Sequence, residues 1–452
     1  MVITQRYLLN FYLLFLILST SYFLFITYNK YKYDKYVMWD GYVYLVYSYS
    51  VLSGEKLFLD KIRSPLLSLV IPPDLELARI ANCIYFLLLS IFVFLIVKKL
   101  TKNSLLALFG GILVGTNPYL LFFTKYTMSD LPAILFFMIG LYFFFENKKI
   151  AEVLSGIFFG FSFVFRPDIG ILLIPLFLFK IRDIMFFKYC FSSFLFISVL
   201  LNFLVSYFVF NRWIYPPLEF LLINFITEKM AFNTQTTVYT DYLWFFKNFA
   251  FFNIAVLPFL LFSIRWIKED KNYTTLFITF VFLTVTHLFL PKIDARIYIT
   301  KATPLAAILA SYAFKSEKKK DESISSVLII IIAAIAFLRL SSILDIDPIF
   351  WRVDKIEYKQ EGTVCSNFPF AYIYFTKRGP CHMIKYFDIP IEKRNILWLV
   401  ESINSIKCDY VYIFTYRDTP ITFNEIEFIK NNFNISILNP EDTYPVYEVK
   451  LK

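Results

Sequence analysis

The chain alternates long apolar stretches with short polar breaks. Leu8–Tyr28, Ile80–Val97, Leu105–Phe123, Met185–Phe210, Tyr273–Leu290 and Ser325–Leu340 are near-continuous apolar runs, long enough to cross a bilayer as helices. With the shorter runs between them, the pattern predicts helices at 8–28, 80–97, 105–123, 131–145, 151–165, 169–179, 189–210, 250–263, 273–290, 302–314 and 323–341. The segments 151–165 and 169–179 are short. Joined as one helix they would reach about 43 Å and carry Arg166 and Asp168 to the bilayer centre, which is costly. A hairpin turning at Arg166-Pro167-Asp168 is therefore expected. From about residue 345 the pattern shortens: strands are expected at Gly362–Ser366, Asp409–Thr415, Ile435–Leu438 and Val446–Val449, with amphipathic helices at Ile396–Ile406 and Phe423–Asn432. The expected fold class is a polytopic α-helical membrane protein of about eleven transmembrane helices over 1–344. Residues 29–79 form its first external loop, and 345–452 a small extracytoplasmic α/β domain.

Composition agrees with this picture. Apolar residues make up 58% of the chain, aromatic residues 21% and charged residues 18%, a balance that excludes a water-soluble globule. The net charge of +10 does not point to nucleic acid, because the cations lie in short loops between apolar runs. With the N terminus cytoplasmic, the segments left inside are denser in Lys and Arg than those outside, as membrane orientation requires. That places the protein in the cell membrane with its C-terminal domain outside. Five cysteines without a Cys-x-x-Cys pair and two histidines supply no zinc ligand set. Cys365 and Cys381 either form a disulfide in an oxidising exterior or remain separate buried thiols. The stripe Phe158, Phe159, Phe161, Phe163 and Phe165 reads as lipid-facing bulk.

The same topology gathers Asp40, Lys61, Arg63, Asp130, Arg166, Asp168, Lys292, Asp294, Arg296 and Lys301 at one membrane surface, which points to a single site. Each has a plainer reading. Asp40 and Asp130 can cap helices, Arg63, Lys292 and Lys301 can snorkel to the interface, and Arg166 and Asp168 can pair with one another.

Four segments in order carry a family resemblance: Asp40-Gly41-Tyr42 with Tyr44-Leu45, Gly54 and Ser64-Pro65-Leu66; Tyr126-Thr127-Met128-Ser129-Asp130-Leu131-Pro132; Phe165-Arg166-Pro167; and His287 to Pro304 with Lys292, Arg296 and Tyr298. Over roughly 5–340 the chain resembles the C-type (GT-C) glycosyltransferase superfamily, including its protein O-mannosyltransferase-like and lipid A aminoarabinose transferase-like branches. Gly41 stands where many relatives carry a second acidic residue. The resemblance implies transfer of a sugar, with inversion, from a polyprenyl (dolichyl-type) phosphate carrier to an extracytoplasmic acceptor, which is a protein, glycan or lipid. It implies Asp40 as the base and Arg296, Arg63, Lys61 and Arg166 as ligands of the donor phosphate. Asp130, Asp168 and Tyr298 remain for substrate or metal. A divalent cation, Mg or Mn, held jointly by Asp40 and Asp130 is a candidate cofactor, but two carboxylates make a poor cage, so an obligatory ion is not expected. The competing readings are a transporter or lipid flippase, for which internal repeats are the usual sign, and a non-catalytic scaffold. The C-terminal domain shows no catalytic motif and reads as an acceptor-binding or lid module.

Overall fold

The computed structural model describes residues 2–32, 39–55, 57, 63–146, 148–222, 249–251, 253–254, 256–289, 295–315, 322–344, 353, 356–359, 362–379, 381–388, 394–405, 408–415, 421–442 and 444–450. In chain order the helices up to residue 344 are α1 (Val2–Tyr31), α2 (Trp39–Ser53), α3 (Leu75–Thr101), α4 (Ser104–Gly115), α5 (Pro118–Phe123), α6 (Asp130–Phe144), α7 (Lys149–Phe165), α8 (Gly170–Phe179), α9 (Phe186–Phe210), α10 (Pro216–Leu222), α11 (Leu257–Ser263), α12 (Lys271–Phe289), α13 (Ala295–Ser311) and α14 (Glu322–Leu344). Among the described residues, Tyr7–Tyr31, Leu75–Thr101 and Phe186–Phe210 are long and apolar enough to cross a membrane. Local chemistry explains the ends. The Asp74 carboxylate accepts the Leu77 N–H to open α3, and Lys98 and Lys99 occupy its last turn, where cations offset the helix dipole.

The helix expected at 105–123 is broken in two. Asn117 accepts the N–H groups of Tyr119 and Leu120, and Pro118 starts α5, the arrangement a proline prefers at the first helical position. By contrast, the hairpin is present. Arg166 is extended (φ −148°, ψ 102°), as a residue preceding proline tends to be. Lys180 Nζ lies 2.5 Å from Glu152 Oε1, 28 residues earlier, whereas one continuous helix would separate them by about 42 Å. Phe159 and Phe165 are buried, which corrects their reading as lipid-facing. Phe159 packs on Phe137, Phe144 and Phe177, and Gly156 and Gly160 bring α7 against the backbone of α9.

The C-terminal sheet contains β1 (Val364–Ser366), β2 (Cys381–Met383), β3 (Tyr410–Phe414), β4 (Asn434–Ile437) and β5 (Val446–Lys450), in the order β2-β1-β3-β5-β4. β1 runs parallel to β2 and β3, and β5 antiparallel to β3 and β4. Side chains alternate across it. Val411, Ile413 and Val449 join helices α16 (Leu397–Ser405) and α17 (Phe423–Asn432) in one core. Tyr412, Phe414 and Val446 face the other way, beside α15 (Pro369–Thr376), into the core shared with the membrane helices. This parity decides the disulfide. Cys365 pairs in register with His382 while Cys381 pairs with Val364, so the two cysteines point to opposite faces. Cys365 instead bonds Cys408, with Cα atoms 6.0 Å apart, and Cys381 is a buried free thiol. The Cys365–Cys381 pairing is thereby replaced.

Candidate functional site

Two charged groups meet at the end of the helix bundle where α2 is seated. α2 is buried on almost all sides, unlike a helix lying on a surface. Thr127 Oγ1 donates to Gly41 O at 3.0 Å and Ser129 Oγ to Tyr44 Oη at 3.1 Å. That loop is itself held by α3, through Arg79 Nε to Lys125 O at 3.0 Å and Asn82 to Tyr126 O. The residues leading into Pro65 close the other side. Tyr47 Oη donates to Arg63 O at 2.6 Å and Ser64 Oγ to Asn202 Oδ1 at 2.5 Å. Arg63 is thus fixed through its backbone, with its guanidinium 4.9 Å over the Tyr44 ring and 3.7 Å from Asp40 Oδ1. Asp40, in the first turn of α2, is 41% exposed at its side chain.

Beneath this wet pair lies a dry one. Arg166 donates through Nη1 to Asp130 Oδ2 at 2.9 Å, and through Nε and Nη2 to Asp168 at 3.2 and 3.3 Å. Lys301, from the middle of α13, donates to Asp168 Oδ2 at 2.5 Å. Two carboxylates and two cations make the cluster neutral, which is how buried charge is tolerated. Asp168 sits in the turn between α7 and α8; burial works to raise its carboxyl, and Arg166 and Lys301 outweigh that and hold it well below the usual carboxylate range. Tyr44 joins the layers, because its ring lies under the Arg63 guanidinium and its hydroxyl accepts from Ser129, the residue before Asp130.

The expected site residues fall into three sets. Asp40, Arg63, Asp130, Arg166 and Asp168 come together as the topology implied. Arg166, read from sequence as a phosphate ligand, directs all three of its nitrogens at carboxylates. Lys301, read as an interface cation, is 2% exposed and ion-paired. Tyr298 is buried, its hydroxyl 2.8 Å from Thr284 Oγ1 and its ring against His287 and Phe249. Lys61, Lys292, Asp294 and the Arg296 side chain lie outside the described residues; the Arg296 backbone is in the first turn of α13, about 7.5 Å along the axis from Lys301. Asp130 is not a helix cap. Ser129 precedes α6 without a capping bond, and one Asp130 oxygen, Oδ1, is buried without a hydrogen-bond partner among the described residues.

Tyr44 and Ser129 lie in the segments that carry the family resemblance, but neither has a role at the site that was expected from sequence. Tyr44 lies four residues after Asp40 and so on the same helical face, and that spacing was the available signal. Among the described residues no three His, Cys, Asp or Glu side chains stand together to hold a metal. The two carboxylates considered as joint holders of a cation, Asp40 and Asp130, each lie beside a guanidinium.

Residues 75–165 match the family model for dolichyl-phosphate-mannose-protein mannosyltransferases. The fold is similar to that of ArnT from Cupriavidus metallidurans bound to undecaprenyl phosphate, at TM-score 0.65 and 12% identity, over 96% of this chain and 98% of that one. It is also similar to the archaeal oligosaccharyltransferase AglB from Archaeoglobus fulgidus in complex with an inhibitory peptide and a dolichol-phosphate, at TM-score 0.52 and 10% identity, over 95% of this chain and 74% of that one. The apo form of the Archaeoglobus fulgidus oligosaccharyltransferase aligns at TM-score 0.53 and 9% identity, over 88% and 69%. No curated protein matches significantly by sequence.

Proposed function

We propose that this chain, a membrane protein with the fold of the GT-C glycosyltransferase superfamily, transfers a sugar from a polyprenyl phosphate carrier to an acceptor on the extracytoplasmic side, with inversion. The observation that carries the reading is the half-exposed Asp40 on a buried helix, 3.7 Å from the mostly buried guanidinium of Arg63 and next to a neutral charge cluster. The undecaprenyl phosphate of the ArnT complex and the dolichol-phosphate and peptide of the AglB complex support a lipid-linked donor and a separate acceptor.

In this reading an acceptor hydroxyl or amide gives its proton to Asp40 as it attacks the anomeric carbon from the face opposite the phosphate. The bond from that carbon to the phosphate oxygen breaks, and the lipid phosphate leaves with the electron pair. Arg63, with Lys61 and Arg296, stabilises the charge that grows on it. Arg166 does not share this task, since its nitrogens are committed to Asp130 and Asp168. The carboxylates do not fit a divalent cation, because Asp130 faces Arg166 and Asp40 faces Arg63.

The test is sugar transfer from a polyprenyl-phosphate donor in membranes. Asp40→Asn lowers transfer by about 100-fold or more at unchanged expression, and Arg296→Ala lowers it as well; wild-type rates in both variants would reject the assignment. Orientation is checked by thiol labelling of Glu55→Cys and Lys102→Cys, both exposed positions, with impermeant reagent reaching only the first from outside.

A further inference from the structure

The C-terminal domain touches the site through one short helix. α15 follows directly from β1, and its start is referenced to the sheet several times over. Asn367 donates to Phe414 O at 2.9 Å and accepts the Phe414 N–H at 2.8 Å. The Phe368 N–H bonds Ser366 Oγ at 2.9 Å, and the preceding Cys365 is tied to Cys408. From this base the helix presents its rings to Tyr42, two residues from Asp40. Phe368, Tyr374 and Phe375 stand 5.5, 5.5 and 5.7 Å from the Tyr42 ring. Tyr42 is fully buried, and Phe368 and Tyr374 nearly so. Tyr374 Oη accepts the N–H of Leu75, the first residue of α3, at 2.9 Å. Lys377 ends the helix with its ammonium over the rings of Tyr49 and Tyr374. Gly379 then passes against Leu57, on the chain leading to Arg63.

We infer that α15 is a positioning element of the reaction centre: it seats on Tyr42 and fixes the helix that carries Asp40. The inference rests on the proposed function for what Asp40 does, and on geometry alone for what holds Asp40 in place. It also separates this domain from the lid or acceptor-binding module expected from sequence. A lid parts from the body it covers, whereas parting here exposes four rings that each bury about 150–250 Å². The contact is continuous with the core of the membrane helices. α2 has α15 on one side and the Thr127–Ser129 hydrogen bonds on another. Removing the α15 side leaves the helix held by the Thr127–Ser129 bonds and by Tyr47 on the Arg63 carbonyl, with the Tyr42 face open, so that Asp40 at its first turn can shift relative to Arg63. A displacement of about 1 Å in a reacting group costs up to 100-fold in rate.

The experiment uses the full chain in lipid nanodiscs with the double variant Tyr374→Ala/Phe375→Ala. Hydrogen exchange is read first. Amides of 41–53 are expected to exchange at least tenfold faster, with those of α6 and α7 unchanged; unaltered exchange in 41–53, or uniform acceleration everywhere, overturns the inference. Steady-state transfer is read second. The expected result is a 10- to 100-fold lower kcat, with the KM for donor and acceptor within about threefold. A raised acceptor KM at unchanged kcat overturns it in favour of acceptor binding. Should the double variant not fold, Phe375→Leu and Lys377→Gln are read in the same way, with smaller effects in the same direction. The exchange measurement does not depend on turnover, so an inactive wild-type protein defeats the proposed function while this inference is still decided.

Discussion

Replacing Arg166 by Met removes the one side chain that, among the described residues, hydrogen-bonds both Asp130 and Asp168. The Asp130 side chain is 1% exposed, and Lys301 hydrogen-bonds Asp168, so the variant leaves one buried carboxylate without its hydrogen-bonded ion pair and a cluster of net charge −1. At 2.9 Å, the lost attraction is about 6 kcal/mol for an effective dielectric near 20. Part of this is offset because Arg166 no longer has to be desolvated, and the expected net loss is about 3–5 kcal/mol. Asp130→Asn alone leaves the opposite imbalance. The double variant Arg166→Met/Asp130→Asn restores neutrality through Asp168 and Lys301, and should be more stable than Arg166→Met by about 2–3 kcal/mol. The assay is equilibrium unfolding by SDS in mixed micelles, followed by the fluorescence of the six tryptophans. Additivity of the two single changes within about 0.5 kcal/mol would refute a shared network.

Three further outcomes follow from the packing. Cys408→Ser frees the Cys365 thiol and, for a bridge spanning 43 residues, destabilises the C-terminal domain by about 4 kcal/mol; Cys381→Ser leaves the non-reducing peptide map unchanged. Gly156→Val drives a side chain into the Cys190 carbonyl and costs about 1–3 kcal/mol, measured by the same SDS titration. Because the folded carboxyl of Asp168 is depressed, its contribution is fully present above the ordinary unfolded value of about 4 and is lost progressively as pH falls from there through the folded one. The stability gap between wild type and Asp168→Asn should therefore stay constant from pH 5 to 8, and narrowing within that window would contradict the pairing.

The sequence was most legible where a single cost dominates. Apolar runs place the long helices because an unpaired backbone is not tolerated in lipid, and the hairpin follows from the expense of submerging Arg166 and Asp168. The pattern of short apolar runs located β1, β3, β4 and β5. What escaped depended on distant partners. The Asn117-Pro118 break carries a local cap signal, but it sits in an unbroken apolar run that reads as one helix. The segment Pro369–Thr376 is rich in aromatic residues that favour strands, and it is helical where its rings meet Tyr42. Lys301 lies in an apolar stretch and its carboxylate is 133 residues away. The disulfide turned on β2, a strand the alternation did not disclose, and cysteine connectivity does not follow from sequence alone.

Asp40–Arg63 and Asp130–Arg166 are chemically the same pair, and their surroundings give them opposite duties. The second is dry, closes to 2.9 Å and belongs to a neutral cluster, so it can hold helices together but has little capacity left for a substrate. The first stands at 3.7 Å, beyond hydrogen-bond distance, with the aspartate 41% and the arginine 16% exposed, so the carboxylate is within reach of water, as its proposed role as base requires. With Asp40 open to water and only Arg63 mostly buried, the pair contributes about 1 kcal/mol to stability, near the upper end for surface pairs. Asp40→Asn should therefore remove transfer while leaving the unfolding free energy within about 1 kcal/mol of wild type. Asp130→Asn should cost several times more stability, because it leaves Arg166 and Lys301 to share one carboxylate. If Asp40→Asn proves the more destabilising of the two, the division between a working pair and a supporting pair is wrong.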